Sequence, residues 1–147
     1  MSFWPPDHIT TSSTPQTIGI LGDFRQLEVW QKSQQLAGSI YRLTGAFPPA
    51  ERYGLSAQMR RAAVSVSANL AEGCGRMGDA ELRRFIWISL GSLAELEREL
   101  MLAKDLQLVT QKSSSDLLRA IGSIRGMLHS LHRNLPISRV NPLDPRP

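Results

Sequence analysis

Between Leu82 and Ala103 the positions Leu82, Ile86, Ser89, Leu93, Leu96, Leu100 and Ala103 follow spacings of four and three without a break. That alternation keeps one edge of an α-helix turned to the same partner along its length and suits near-parallel packing at a shallow angle. A strand cannot use it, because strand side chains alternate with period two. The same device recurs at Leu117, Ile121, Ile124, Leu128, Leu131 and Leu135, where Pro136 stops it. Upstream, Val29, Ser33, Leu36, Ile40 and Leu43 form a third seam, with Leu27, Trp30, Ala37 and Tyr41 as a second stripe beside it. Asp23 is its expected N-cap, and Gly45 with the Pro48-Pro49 pair ends it, since proline lacks a donor and disfavours helix in the preceding residue. With the segment Tyr53 to Arg76 as a fourth helix, the pattern predicts an all-α, up-down-up-down antiparallel four-helix bundle over residues 24–135.

The Tyr53 to Arg76 segment differs from the others in having two unpolar sides. Leu55, Met59, Ala62, Ala63, Val66 and Leu70 share one face, while Ala57, Val64, Ser67, Ala68 and Ala71 make a second of small residues. Polar Gln58, Ser65, Asn69, Glu72 and Arg76 are confined to a flank. A helix apolar or small on two sides is normally covered on two sides, so Ala57, Val64, Ala68 and Ala71 are expected at a contact between copies of the chain. Trp87 and Met101, which lie off the seam of the next helix, are expected to join them, since Trp and Met are enriched at interfaces. The helix is expected to reach about Glu72 and to leave through Gly73-Cys74-Gly75 with positive-φ freedom. Asp79 is read as the next N-cap and Thr110 to Ser115 as a polar turn.

The flanks read differently. Residues 1–23 are rich in Ser, Thr, Pro and Gly without period, and residues 136–147 are proline-rich, so both are expected to be flexible. No run approaches the roughly 18 apolar residues of a spanning helix, and the N-terminus has no signal-peptide pattern, which predicts a cytoplasmic protein without a membrane partner. Cys74 is the single cysteine, so no intrachain disulfide can form.

No metal-protease helix, phosphate-cradling glycine loop or nucleophile elbow is present, so no catalytic residue, cofactor or metal is expected. His129 and His132 could share a metal by spacing, yet no acid lies in that turn to complete a site. Basic residues carry more. With 17 Lys and Arg against 13 Asp and Glu, the net charge of +4 mildly favours an acidic partner. Arg125, His129 and His132 fall in a narrow sector of the last helix with Arg133 beside it, as a phosphate-contacting stripe or as cations answering the helix dipole. Arg60 and Arg61 are read as projecting from the central helix, and Arg83 and Arg84 from the next, giving a candidate set for binding RNA or DNA. Trp87 beside Arg83 could stack on a base, although it finds no seam partner in its own chain and so reads first as interface. Asn69, Glu72 and Arg76, at helical spacing, read as a polar bridge that holds the following loop.

Several stretches resemble a known family in order. They are Phe24 to Trp30, Phe47-Pro48, Glu51 to Leu55, Arg60 to Val66, Asn69 to Gly73, Gly75-Arg76 and Gly91 to Leu96. Together they resemble the bacterial four-helix-bundle proteins also called 23S rRNA intervening-sequence proteins, from Phe24 to about Leu135. Ser67 stands where that family prefers proline, which leaves this helix straighter. The resemblance implies a homo-oligomer, pentameric as the best single count, of undefined biochemical role. It also implies similarity in fold to the accessory protein of diversity-generating retroelements, which binds nucleic acid and a reverse transcriptase. The function expected from both lines is non-enzymatic binding of structured nucleic acid through surface arginines. A structural or protein-adaptor oligomer with no nucleic-acid role is the alternative.

Overall fold

The computed structural model describes residues 23–136, and the flexible ends expected from the sequence lie outside them. Four helices follow one another: α1 (Glu28–Gly45), α2 (Leu55–Gly75), α3 (Asp79–Asp105) and α4 (Gln111–Asn134), with no strand among the described residues. Neighbours in sequence are neighbours in space, α2 packing most extensively on α3 and next on α1, while α4 closes the ring against α3 and α1. Cross-helix bonds fix the directions. Arg60 reaches back to Thr44, Ser89 to Val66, Ser92 to Ser65, and Arg83 to Leu135, so each helix runs against the one before it. The chain is an up-down-up-down antiparallel four-helix bundle.

Every position of the α3 seam is buried, from Leu82 to Ala103, because each faces the bundle axis through the whole helix. On α4 the centre of the seam, Ile121, Ile124 and Leu128, is buried, while Leu117 and Leu131 are half-buried. Two of the buried hydroxyls bond within their own helix. Ser33 Oγ donates to Val29 O at 2.7 Å and Thr44 Oγ1 to Ile40 O at 2.7 Å, each the carbonyl one turn back. Ser89 Oγ instead crosses between helices, donating to Val66 O at 2.9 Å.

Element ends depart from the sequence expectation in four places. Asp23 caps a short 3-10 turn, Phe24–Gln26, accepting from Arg25 N at 3.0 Å, and α1 begins only at Glu28. Arg25 also binds the Asp23 carboxylate, which lowers its pKa. Asp79 is the first helical residue rather than the cap, and Gly78 before it carries the positive φ of 96° that the turn needs. Thr110 caps α4, its hydroxyl accepting from Ser113 N at 3.1 Å, so most of the expected polar turn is already helix.

The fourth departure is α2, which continues through Gly73, Cys74 and Gly75 without a positive φ among the three. Gly73 is there for closeness. A Cβ on it would lie 2.7 Å from Phe85 Cβ and 3.0 Å from Leu82 Cδ1, so the α2 backbone touches α3 where any side chain would push them apart. Gly73→Ala is therefore expected to destabilise the bundle by about 1–3 kcal/mol, despite alanine's better helix propensity. Urea denaturation checks this, and a stabilised variant would mean that the two helices are not in contact at that point.

Candidate nucleic-acid interface

The basic residues picked out by spacing do not form one patch. Antiparallel order places the N-terminal half of α3 and the C-terminal half of α4 at one end of the bundle, and the corner between α1 and α2 at the other.

At the first end the α3–α4 groove gathers Trp87, His129 and His132. The indole is 54% exposed, and its ring lies edge-on to His132 at 4.9 Å and to His129 at 6.0 Å between centroids. The expectation that Trp87 lacks a partner in its own chain is thereby corrected. Its partners come from α4, where the sector shared by the two imidazoles turns toward α3. Arg83 is occupied: its Nη2 donates to Leu135 O at 2.8 Å and to Pro136 O. It answers the carbonyl end of α4, where both the dipole and the missing helical donors favour a cation. Arg125 pairs with Glu97 across the groove. Arg133 is exposed and has no ion pair among the described residues.

Arg84 stands beside Glu81 at 3.5 Å and over the Phe85 ring at 4.8 Å. Arg60 does not project outward. Its Nε donates to Thr44 Oγ1 at 2.8 Å and its Nη2 to Tyr41 O at 3.2 Å, with the guanidinium 4.6 Å from the Tyr41 ring centre, so it ties α2 to α1. Arg61 is exposed and unpaired among the described residues. Of the eight expected nucleic-acid residues, Arg61 and Arg133 are thus the arginines left without an ion pair or a hydrogen bond to the protein.

The expected polar bridge divides in two. Glu72 and Arg76 form an ion pair at 2.8 Å, and Arg76 also lies 5.6 Å from the Phe85 ring centre. Asn69 turns away, donating to Ser65 O and Ser65 Oγ at 2.8 Å each, and Ser92 Oγ donates to the same hydroxyl at 2.9 Å. Most of the second face of α2 is uncovered in the single chain: Val64 and Ala68 are exposed and Ala57 and Ala71 half-buried, while Ser67 is buried. Ile88 on α3 is exposed as well, and Met101 and Leu102 are exposed further along the same helix.

Burial pushes the Cys74 thiol up to about 11, which keeps it protonated and unreactive. One group escaped the sequence reading. Glu99 is fully excluded from solvent, and neither carboxylate oxygen has a hydrogen-bond partner among the described residues. Its spacing carried the signal, since it stands three after Leu96 and four before Ala103, both seam positions. Among the described residues no group of three or more His, Cys, Asp or Glu could hold a metal ion, and no helix is long and apolar enough to cross a membrane.

No curated protein matches the chain. Among solved structures, a protein of unknown function from the S23 ribosomal protein family of Bacteroides thetaiotaomicron VPI-5482 is similar in fold. It has a TM-score of 0.67 and 23% identity, covering 71% of this chain and 95% of that one. The profile of the family described as 23S rRNA-intervening sequence protein matches residues 25–130. That match covers all of the bundle but the end of α4 and most of the sequence, and the chain belongs to the 23S rRNA-intervening sequence protein family.

Proposed function

We propose that this protein is a non-enzymatic helical protein that self-associates, with five copies as the leading count, and binds structured RNA or DNA. The supporting observation is the α3–α4 groove, where a half-exposed indole stands beside two imidazoles, and Arg133, the residue after His132, is exposed and without an ion pair among the described residues. An indole face accepts a base of any sequence, and an unpaired guanidinium accepts a phosphate, so the pair suits backbone and stacking contacts without base readout. Self-association rests on the uncovered α2 face, whose Val64, 43% exposed, and Ala68 have no polar alternation. Repetition of the groove around a closed assembly multiplies a modest charge excess.

A protein-adaptor role is the second reading, and one observation favours it: Arg60, Arg83, Arg84 and Arg125 are already engaged within the chain. Titrating RNA and DNA against salt separates the two. Nucleic-acid binding must weaken steeply with salt through counterion release, with the Arg133→Gln slope shallower by about 1. Trp87→Ala is expected to lose about 1–3 kcal/mol of affinity with the slope unchanged. Light scattering on the same samples gives the mass of the assembly. Absent or salt-indifferent binding supports the adaptor, and a monodisperse monomer removes the assembly.

A further inference from the structure

The end of the bundle opposite the tryptophan carries a cleft that the nucleic-acid reading does not use. At the corner between α1 and α2 a cavity of about 300 Å³ is lined by Thr44, Phe47, Pro48, Arg52, Ser56 and Arg60, among others. Its polar groups are arranged in a definite order. Thr44 is spent, because its hydroxyl donates to Ile40 O and accepts from Arg60 Nε. That bond, the bond to Tyr41 O and the Tyr41 ring hold the Arg60 guanidinium in place. A guanidinium has five N–H donors, and these bonds use two of them, so the fixed group still has donors to offer.

Arg52 lies exposed on the same rim, its guanidinium 5.7 Å from the Tyr53 ring centre. Ser56 is 5% exposed and lines the cavity, and its hydroxyl, engaged by no other described residue and not among the buried atoms left unsatisfied, is free to donate into the cavity. Ser56 belongs to the first turn of α2, a helix that starts after Gly54 without any side-chain cap. The nearby acid, Glu51, turns its carboxylate toward Gly54 and does not line the cavity. Two guanidiniums, one held by its bonds and one exposed on the rim, therefore line the cavity together with the Ser56 hydroxyl, with no acid among the lining residues.

We propose that this corner binds a phosphate group, as a dianion. Two positive charges match a phosphate monoester better than a singly charged carboxylate. Guanidiniums bind its oxygens through paired N–H donors, while the Ser56 hydroxyl supplies a further one. The phosphate is either free, as inorganic phosphate or a nucleotide, or the terminal phosphate of an oligonucleotide. The site does not depend on the α3–α4 groove, and its probe need not be a nucleic acid.

The test is inorganic phosphate titrated into the full chain while amide resonances are followed. The shifts are expected to centre on Gly45 and Ser56 and to saturate below ~10 mM, the range of one weak specific site. Arg52→Gln is expected to weaken binding about tenfold, the loss of one charge-assisted contact. Ser56→Ala is expected to weaken it less, and Arg119→Gln, on α4 and away from the cleft, is expected to leave it unchanged. Competition names the source. Displacement by a 5′-phosphorylated oligonucleotide and not by its 5′-hydroxyl twin assigns a terminal phosphate, whereas displacement by a mononucleotide alone assigns a free one. Absence of saturable shifts, or equal weakening by Arg52→Gln and Arg119→Gln, overturns the site, and either result leaves the groove reading standing.

Discussion

Leu93→Ala is expected to cost the bundle about 2–5 kcal/mol, and Ile124→Ala a similar amount. Leu93 has no exposed surface and sits at the centre of the longest helix, and Ile124 stands on α4 with 2% exposed. Truncation at either place removes three carbons from a core whose neighbours are helices spanned by further contacts, so the bundle can close only partly over the gap. The loss is the transfer free energy of the removed carbons plus that of the cavity left behind. Because a domain of this size is stable by only about 5–15 kcal/mol, each change consumes a large share. In urea, the midpoint should fall while the slope stays constant. A midpoint that does not move at either position would mean that the seams do not face the core.

Glu99→Gln is expected to stabilise the protein, and to do so more at pH 8 than at pH 5. The Glu99 side chain is sealed from solvent at the shoulder of the α3 seam. Burial pushes its carboxyl up to about 7, the neighbouring Glu95 adds to the rise, and Arg98 and Arg61 oppose it. The one ion pair within reach, to Arg98 Nη2, spans 3.9 Å, too long to hydrogen-bond the carboxylate. A group whose folded pKa is raised above its unfolded value of 4.5 binds its proton more tightly in the fold. Stability then falls as pH rises from that unfolded value through about 7, and levels off once Glu99 is ionised in both states. Glutamine resembles the protonated acid and cannot ionise. Its advantage should be small at pH 5 and reach about 1–3 kcal/mol at pH 8, the usual cost of a buried polar group left unsatisfied. Urea midpoints of both proteins at the two pH values decide it. An equal gap at both would show that Glu99 does not titrate within the fold.

The helices were legible because their evidence is periodic. Leu82 to Ala103 repeats the same geometric statement seven times, and no error at a single position can overturn it. The ends were less legible because capping depends on one residue and its local backbone. Gly73 illustrates the difficulty: a glycine before a turn and a glycine between touching helices read alike in sequence, and only the nearness of Phe85 distinguishes them. The candidate site was the least legible part. Spacing gave the sector that His129 and His132 share, and the groove confirms that they lie together. Spacing could not tell that Arg60 turns back to Thr44, or that Arg83 holds the carbonyl end of α4. A long side chain reaches several ångströms in any direction, and its partner is chosen by packing between helices. Charge on a helical wheel is therefore a list of candidates, and the fold removes those with work inside the chain.

Polar links between neighbouring helices are unevenly distributed around the ring. Arg60 ties α2 to α1, Ser89 and Ser92 tie α3 to α2, and Arg83 and Arg125 tie α4 to α3. Between α1 and α4, among the described residues, there is no such tie. There the two helices meet through apolar contact, beside a cleft of about 250 Å³ between Lys32, Gln35 and Ser39 on one side and Leu117, Ala120 and Ser123 on the other. Apolar surfaces can slide or part without leaving a donor or acceptor stranded, whereas the other three seams cannot. The bundle is in effect a sheet of four rods rolled up and fastened along three of its edges, and the fourth edge is where it unrolls. Transient opening of the native protein should begin along that line, and whatever enters the core of this bundle would enter there.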